Sequence, residues 1–308
     1  MRTPRYPIPG VAIFAASSAL ALLASCDDAL DQRLSIVSTP RVLAVLAEPA
    51  EAKPGASVMY SAIVAGPDGP LASNAAWSFC TTPKAPTEDN AVSTACVDGD
   101  GLIDLGRGAT AMGKVPTDAC LRFGPDTPPI GPNDPPGGFR PRDPDPTGGY
   151  YLPVRVETTE APLAFGLSRI TCKLANASVD ASRAYDQQYV ANNNPALDAL
   201  TGVLADGHAP ADSDVELVAS WPAASTEPYV SFDVEHQTLV DRREAMRVSW
   251  YATAGELAVD SSVVDENDNG TTATTTWHTP ASSSATIWIV LRDSRGGVAV
   301  ARTTITVE

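Results

Sequence analysis

Short runs in which apolar and polar side chains alternate recur along most of the chain, separated by clusters of Pro, Gly, Asp and Asn. A period of two is what a strand with one buried face requires. It predicts strands over residues 42–47, 57–64, 75–80, 150–157 and 163–174, and again over 215–221, 229–234, 246–252, 271–277, 285–291 and 298–307. Val58, Tyr60, Ala62 and Val64 share one face, as do Ala75, Trp77 and Phe79, and Leu152, Val154 and Val156. Met246, Val248 and Trp250 alternate with Arg247, Ser249 and Tyr251. Pro67-Asp68-Gly69-Pro70 and the stretch 293–297 read as turns. One stretch has helical character, from Asp180 to about Asn192. Asp180 is its expected cap, Tyr185 and Tyr189 stand one turn apart, and Asn192-Asn193-Asn194-Pro195 is its expected stop.

The run at 11–23 is of another kind. It is uncharged throughout and follows the basic Arg2 and Arg5, the layout of an export signal too short to span a bilayer comfortably. It ends in Leu23-Ala24-Ser25-Cys26, which resembles the lipobox of a bacterial lipoprotein. That resemblance implies removal of residues 1–25, acylation of Cys26 (palmitate-type chains) and a cell-envelope location. The competing reading is an ordinary signal cut after Ala21. Cysteine parity weighs against it: of five Cys, lipidation of Cys26 leaves Cys80, Cys96, Cys120 and Cys172, an even set suited to two disulfides. Acyl chains of this sort anchor a protein without any membrane-spanning helix. Asp27-Asp28 resembles an inner-membrane retention signal, but inner and outer membrane both stay open.

The expected organisation is a signal peptide (1–25), a lipidated Cys and tether (26–39), a first domain (40–178), a helical connector (179–212) and a second domain (213–308). The first three strands, the third carrying Trp77, resemble the A, B and C strands of an immunoglobulin-like sandwich. Trp277-x-x-Pro280 and the strand–turn–strand that follows it resemble the end of a bacterial immunoglobulin-like or PKD-like repeat. The fold class is therefore all-β: two immunoglobulin-like sandwich domains joined by a short helical connector, with a long Pro/Gly-rich loop, 123–149, in the first. The resemblance implies an extracytoplasmic spacer or binding module. Alternation puts Cys80 on the face opposite Trp77, so a local bridge from Cys80 to Cys96 fits better than one packed on that Trp. Cys120 then remains for Cys172, although four Cys allow three pairings and sequence does not select one.

Charge and chemistry narrow the function. The formal net charge is −16; without Arg2 and Arg5 the chain has 19 basic against 37 acidic residues, or −18. Such a surface is repelled by nucleic acid, which is excluded as a partner. His208, His236 and His278 stand in no ligand spacing, and no GxSxG, Walker or GxGxxG motif occurs. Asp265, Asn267 and Asn269, followed by Gly270, copy the first half of a Ca2+-binding loop. Thr276 occupies the place of the bidentate Glu, and Asn269-Gly270 is also a hairpin turn, which is the preferred reading. The Pro-rich loop reads first as a flexible or packed-down insertion; the alternative is a recognition loop, with Phe123, Phe139, Tyr150 and Tyr151 offering ring faces. The expected function is a lipid-anchored binding or structural module without catalysis, held at the membrane and meeting another envelope protein or a polysaccharide. The alternative is an envelope hydrolase of polysaccharide or peptide using carboxylates near the Pro-rich loop.

Overall fold

The computed structural model describes residues 34–308 except 85–87, 89–90, 126–131 and 133–144. The first sandwich contains β1 (Arg41–Glu48), β2 (Glu51–Ala52), β3 (Ser57–Gly66), β4 (Gly69–Leu71), β5 (Ala75–Cys80), β6 (Leu102–Gly108), β7 (Thr110–Lys114), β8 (Gly149–Glu157) and β9 (Ala164–Thr171). Two short helices interrupt it, α1 (Thr94–Asp98) and α2 (Ala119–Phe123). One sheet has β3 at its centre, with β1 on one edge and β4 and β7 sharing the other. The second runs β2-β9-β8-β5-β6. Alternation sends Val58 and Tyr60 from the first sheet, and Trp77, Phe79, Leu152, Val154 and Val156 from the second, into one core. Tyr60 stands edge-on to Phe79, ring centroids 5.6 Å apart, a favoured aromatic geometry.

A helix, α3 (Val179–Gln188), leads to the second sandwich: α4 (Val203–Asp206), β10 (His208–Ala209), β11 (Asp214–Ser220), β12 (Pro228–Asp233), β13 (Thr238–Arg243), β14 (Met246–Ala252), β15 (Glu256–Leu257), β16 (Ser261–Val264), β17 (Thr272–His278), β18 (Ser283–Asp293) and β19 (Val298–Val307). Its sheets run β10-β19-β18-β14-β16 and β11-β17-β15, and β12 and β13 form a separate hairpin. In both sandwiches a short early strand lies parallel to the last one, β2 on β9 and β10 on β19, while the other strand pairs are antiparallel. This is an all-β protein of two sandwiches with immunoglobulin-like strand order.

The sandwiches lie face to face. Along β18, Ile287, Ile289 and Leu291 point into the second core. Trp288 and Val290 point the other way, onto Leu43, Ala44 and Ala65 of the first sandwich, with Val37 and Val298 completing the layer. The strand is thus apolar on both faces, as a strand covered on both sides must be. Residues 34–39, expected as tether, differ from that expectation. Ile36 bridges to Ala252, backbone bonds of 2.8 and 2.9 Å tie Val37 and Ser35 to Ala252, and Val37 is fully buried. An apolar Ile-Val pair gains more by closing the interface than by standing in water.

The expected strands correspond to β1, β3, β5, β8, β9, β11, β12, β14, β17, β18 and β19. The helix is shorter than expected and starts elsewhere. Ser178, with extended backbone, accepts a 3.2 Å bond from the Ala181 amide, because a cap must sit outside the helix. Asp180 lies inside the first turn instead, where its charge favours the positive end. Replacing Trp288 by Ala should cost about 3–5 kcal/mol in urea unfolding. A loss below about 1 kcal/mol would mean that the layer between the sandwiches is not tightly packed.

Candidate functional site

The sandwiches are also joined by a chain of buried polar groups, and this junction is the most chemically elaborate place among the described residues. After β1 the chain passes the cis Glu48–Pro49 bond and crosses to the other sheet, which puts Glu51 in the interior. Its side chain pairs with Arg169 at 3.1 Å, and both are almost completely buried. Glu51 also accepts from Thr171 Oγ1 and the Asn192 amide, each at 2.9 Å, and from the Tyr189 hydroxyl. Arg169 donates to Thr147 Oγ1 at 2.9 Å and to the Tyr151 hydroxyl at 3.3 Å. A side chain at Gly149 would overlap the Arg169 guanidinium, so glycine is required there.

Arg295, in the β18–β19 turn, mirrors this arrangement in the second sandwich. It is 1 % exposed and donates to Glu244 at 2.7 Å, Glu227 at 2.8 Å and the Val190 carbonyl at 2.9 Å. Its guanidinium also lies over the Tyr229 ring, 5.1 Å from the centroid. Asp293 accepts from the Arg295 and Gly297 amides at 2.8 and 2.9 Å. The extended Asn192-Asn193-Asn194 links the two halves. Asn192 reaches Glu51 with its amide and Asp293 with its side chain, at 3.2 Å. Asn193 holds Glu227 at 2.7 Å. Asn194 donates to the Ala47 carbonyl at 2.7 Å and accepts from the Val298 amide at 2.9 Å. Read as a helix stop, these residues are instead the clasp.

Burial shifts these groups. Desolvation pushes Glu244 up to about 7, with the nearby Asp293 adding to it and Arg295 only partly opposing it. Asp293 is raised too, mainly by burial, against the pull of its amide bonds. Burial works to lower Arg169, but Glu51, Tyr189 and Tyr151 overcome it and hold the guanidinium above its usual range. Glu244 and, at the edge, Glu227 therefore share the Arg295 guanidinium, while Asp293 is held by backbone amides and Asn192.

Beside the junction lies a cleft of about 370 Å³, lined by Val42, Val45, Phe165, Leu167, Arg292 and Asp293 among others. Arg292 crosses it to the Leu43 carbonyl at 2.8 Å. With Asn194 on Ala47, this satisfies carbonyls along β1, the exposed edge of its sheet. Asp293 is committed to amides and Asn192, so the cleft presents no pair of free carboxylates.

The structure disperses the residues singled out in the sequence. Cys26 lies outside the described residues, as does Phe139. Cys80 pairs with Cys96, Cα atoms 5.5 Å apart, and Cys120 with Cys172 at 5.6 Å. Tyr150 is buried in the first core, and Tyr151 belongs to the junction, its hydroxyl on the Arg295 carbonyl at 3.1 Å. The Tyr150 ring is thereby withdrawn from solvent, whereas Tyr151 is part-buried and lines the cleft; Phe123 packs against the first core. In the candidate Ca2+ loop, Asp265 accepts from the Asn267 amide and side chain, both at 3.1 Å. Asn269 Oδ1 accepts from Arg243 at 2.7 Å. These oxygens stabilise a turn and meet a guanidinium. His208, His236 and His278 are each exposed and face one carboxylate, those of Glu308, Asp233 and Asp214. Near the Pro-rich loop, Asp118 pairs with Arg122 at 2.7 Å and Asp145 accepts from Thr147. Sequence reading missed Glu51, Arg169, Glu244 and Arg295. The one signal available was a charged residue inside an apolar alternation, as at Arg169 between Ser168 and Ile170.

No protein-family model matches the chain, and no curated protein matches it closely. Among solved structures it is similar to the fibronectin(III)-like modules of Clostridium thermocellum CbhA, with a TM-score of 0.24, 11 % identity, and 88 % of this chain and 94 % of that one covered. The D00-D0 domain of Intimin gives 0.23, 11 %, 88 % and 98 %. The Yersinia pseudotuberculosis adhesin InvE gives 0.22, 10 %, 85 % and 58 %. At such scores these likenesses add nothing to the fold established by strand pairing.

The raised Glu244 sets a direction for pH dependence. Its folded value lies above its ordinary 4.5, so its contribution is complete below that pH and is lost as pH rises through about 7. The melting temperature should fall between pH 5 and pH 8, and Glu244→Gln should remove most of that slope. An equal slope in the variant would locate the dependence elsewhere.

Proposed function

We propose that this chain is a lipid-anchored protein of the bacterial cell envelope whose two sandwiches form one rigid binding or structural module for another envelope protein or a polysaccharide. The observation that carries the reading is the direction of the strands. The chain enters the folded body at Ser35–Val37, beside the end of β14 at Ala252. From there β1 runs away to Glu48, and Asn194 joins the end of β1 to the start of β19. The far pole thus gathers the long connections of both sandwiches: α1, α2, α3, the β12–β13 hairpin, the turn 265–270 and both disulfides. Loops gathered at one end of a sandwich are where such folds place recognition.

The sequence supports the anchor. Leu23-Ala24-Ser25-Cys26 has the residue types of a lipobox, and the other four Cys are consumed in two disulfides. Only eight residues separate Cys26 from Ser35, a reach of about 30 Å even when extended. The body then stands close to the membrane with its elaborated pole outward. A rigid pair of domains holds that pole at a fixed height, which a flexible string would not.

The Cys26→Ala chain, expressed in a bacterial host fed a labelled fatty acid, should lose the label and leave the membrane fraction. Retention of the label by the variant would refute the anchor.

A further inference from the structure

We propose that Asn269–Gly270 is a self-modifying site, at which the Gly270 amide nitrogen displaces ammonia from the Asn269 side chain. Asn269 is the one asparagine in the sequence followed by glycine, and attack of that nitrogen on Cγ closes a five-membered ring. Without a side chain, Gly270 leaves the nitrogen uncrowded. The turn around it supplies two groups the reaction uses. The Gly270 N–H donates to Asp268 Oδ1 at 2.8 Å, which positions a carboxylate to take the proton. That bond lies in the peptide plane, whereas the attacking electrons stand perpendicular to it, so the carboxylate does not cover the attacking face. On the other side Arg243 donates to Asn269 Oδ1 at 2.7 Å and to the Asp268 carbonyl at 3.1 Å. Its charge withdraws electrons from Cγ and holds the oxyanion that forms on attack.

The step balances. The N–Cγ bond forms as the proton passes to Asp268, and the Cγ–Nδ2 bond then breaks as that proton leaves with ammonia. The resulting cyclic imide takes up water at either carbonyl, giving aspartate or isoaspartate. The product carries a carboxylate beside Arg243, so an ion pair replaces the bond from a charged guanidinium to a neutral amide between β13 and the turn. Asp268 and Asn269 are exposed, so water reaches the imide freely.

The test follows Asn269 by peptide mass mapping at pH 8 and 37 °C, with hydroxylamine cleavage to trap the imide. Four samples are compared: the folded chain, the chain unfolded in urea, and folded Arg243→Gln and Asp268→Asn. The folded wild type should lose Asn269 about tenfold faster than the unfolded chain, and both variants should fall back towards the unfolded rate. A folded chain that reacts no faster than the unfolded one, or variants that react as fast as wild type or faster, would show that the turn only protects the residue and would overturn the proposal.

Discussion

The structure depends on one strand having to be dry on both sides. β18 presents Ile287, Ile289 and Leu291 to its own core and Trp288 and Val290 outward. The outward pair would expose a large apolar surface if the second sandwich stood alone. The first sandwich covers it with Leu43, Ala44 and Ala65, and the incoming chain seals it with Val37. That contact brings the Glu48–Ala52 crossover against the β18–β19 turn, and there the polar junction becomes necessary. Glu51, Arg169, Glu244 and Arg295 are all buried, and a buried charge is tolerable only when paired and fully hydrogen-bonded. The Asn192–Asn194 segment supplies the bonds that neither sandwich can supply for itself.

The junction therefore works as specificity more than as glue. Ion pairs out of water return little net stability, yet each of these groups accepts one geometry only. Gly297 shows how tightly: a side chain there would overlap Asp293. The hairpin β12–β13 extends the same logic, since Val230 and Phe232 pack on Leu174, Ala181 and Tyr185 of the α3 region. Its Phe232 amide donates to the Pro146 carbonyl at 2.7 Å. The apolar layer sets the distance between the sandwiches, and the polar clasp sets their angle. Together they fix where the far pole points.

Most of the sheet framework was legible in the sequence because alternation directly records which face is buried, as at Met246, Val248 and Trp250. The strands that escaped notice are short or polar: β6 and β7 hold Gly106, Gly108 and Gly113, and β13 reads Thr-Leu-Val-Asp-Arg-Arg. Glycine and charge erase the period without preventing the pairing. The unbroken run from Ile287 to Leu291 carried a further message, since continuous apolarity marks a strand covered twice. Long-range polar pairs left a fainter trace: Glu51 and Arg169 stand 118 positions apart, and a charge inside the alternation at Arg169 does not name its partner. The Asn triplet was ambiguous for a related reason, because the same side chains that end helices also bridge backbones.

The central claim is that the two sandwiches form one cooperative body. Differential scanning calorimetry of the chain with both disulfides intact tests it most directly. A single transition whose calorimetric and van't Hoff enthalpies agree is the result expected of one folding unit. Two resolved transitions, each with the enthalpy of one sandwich, would contradict it.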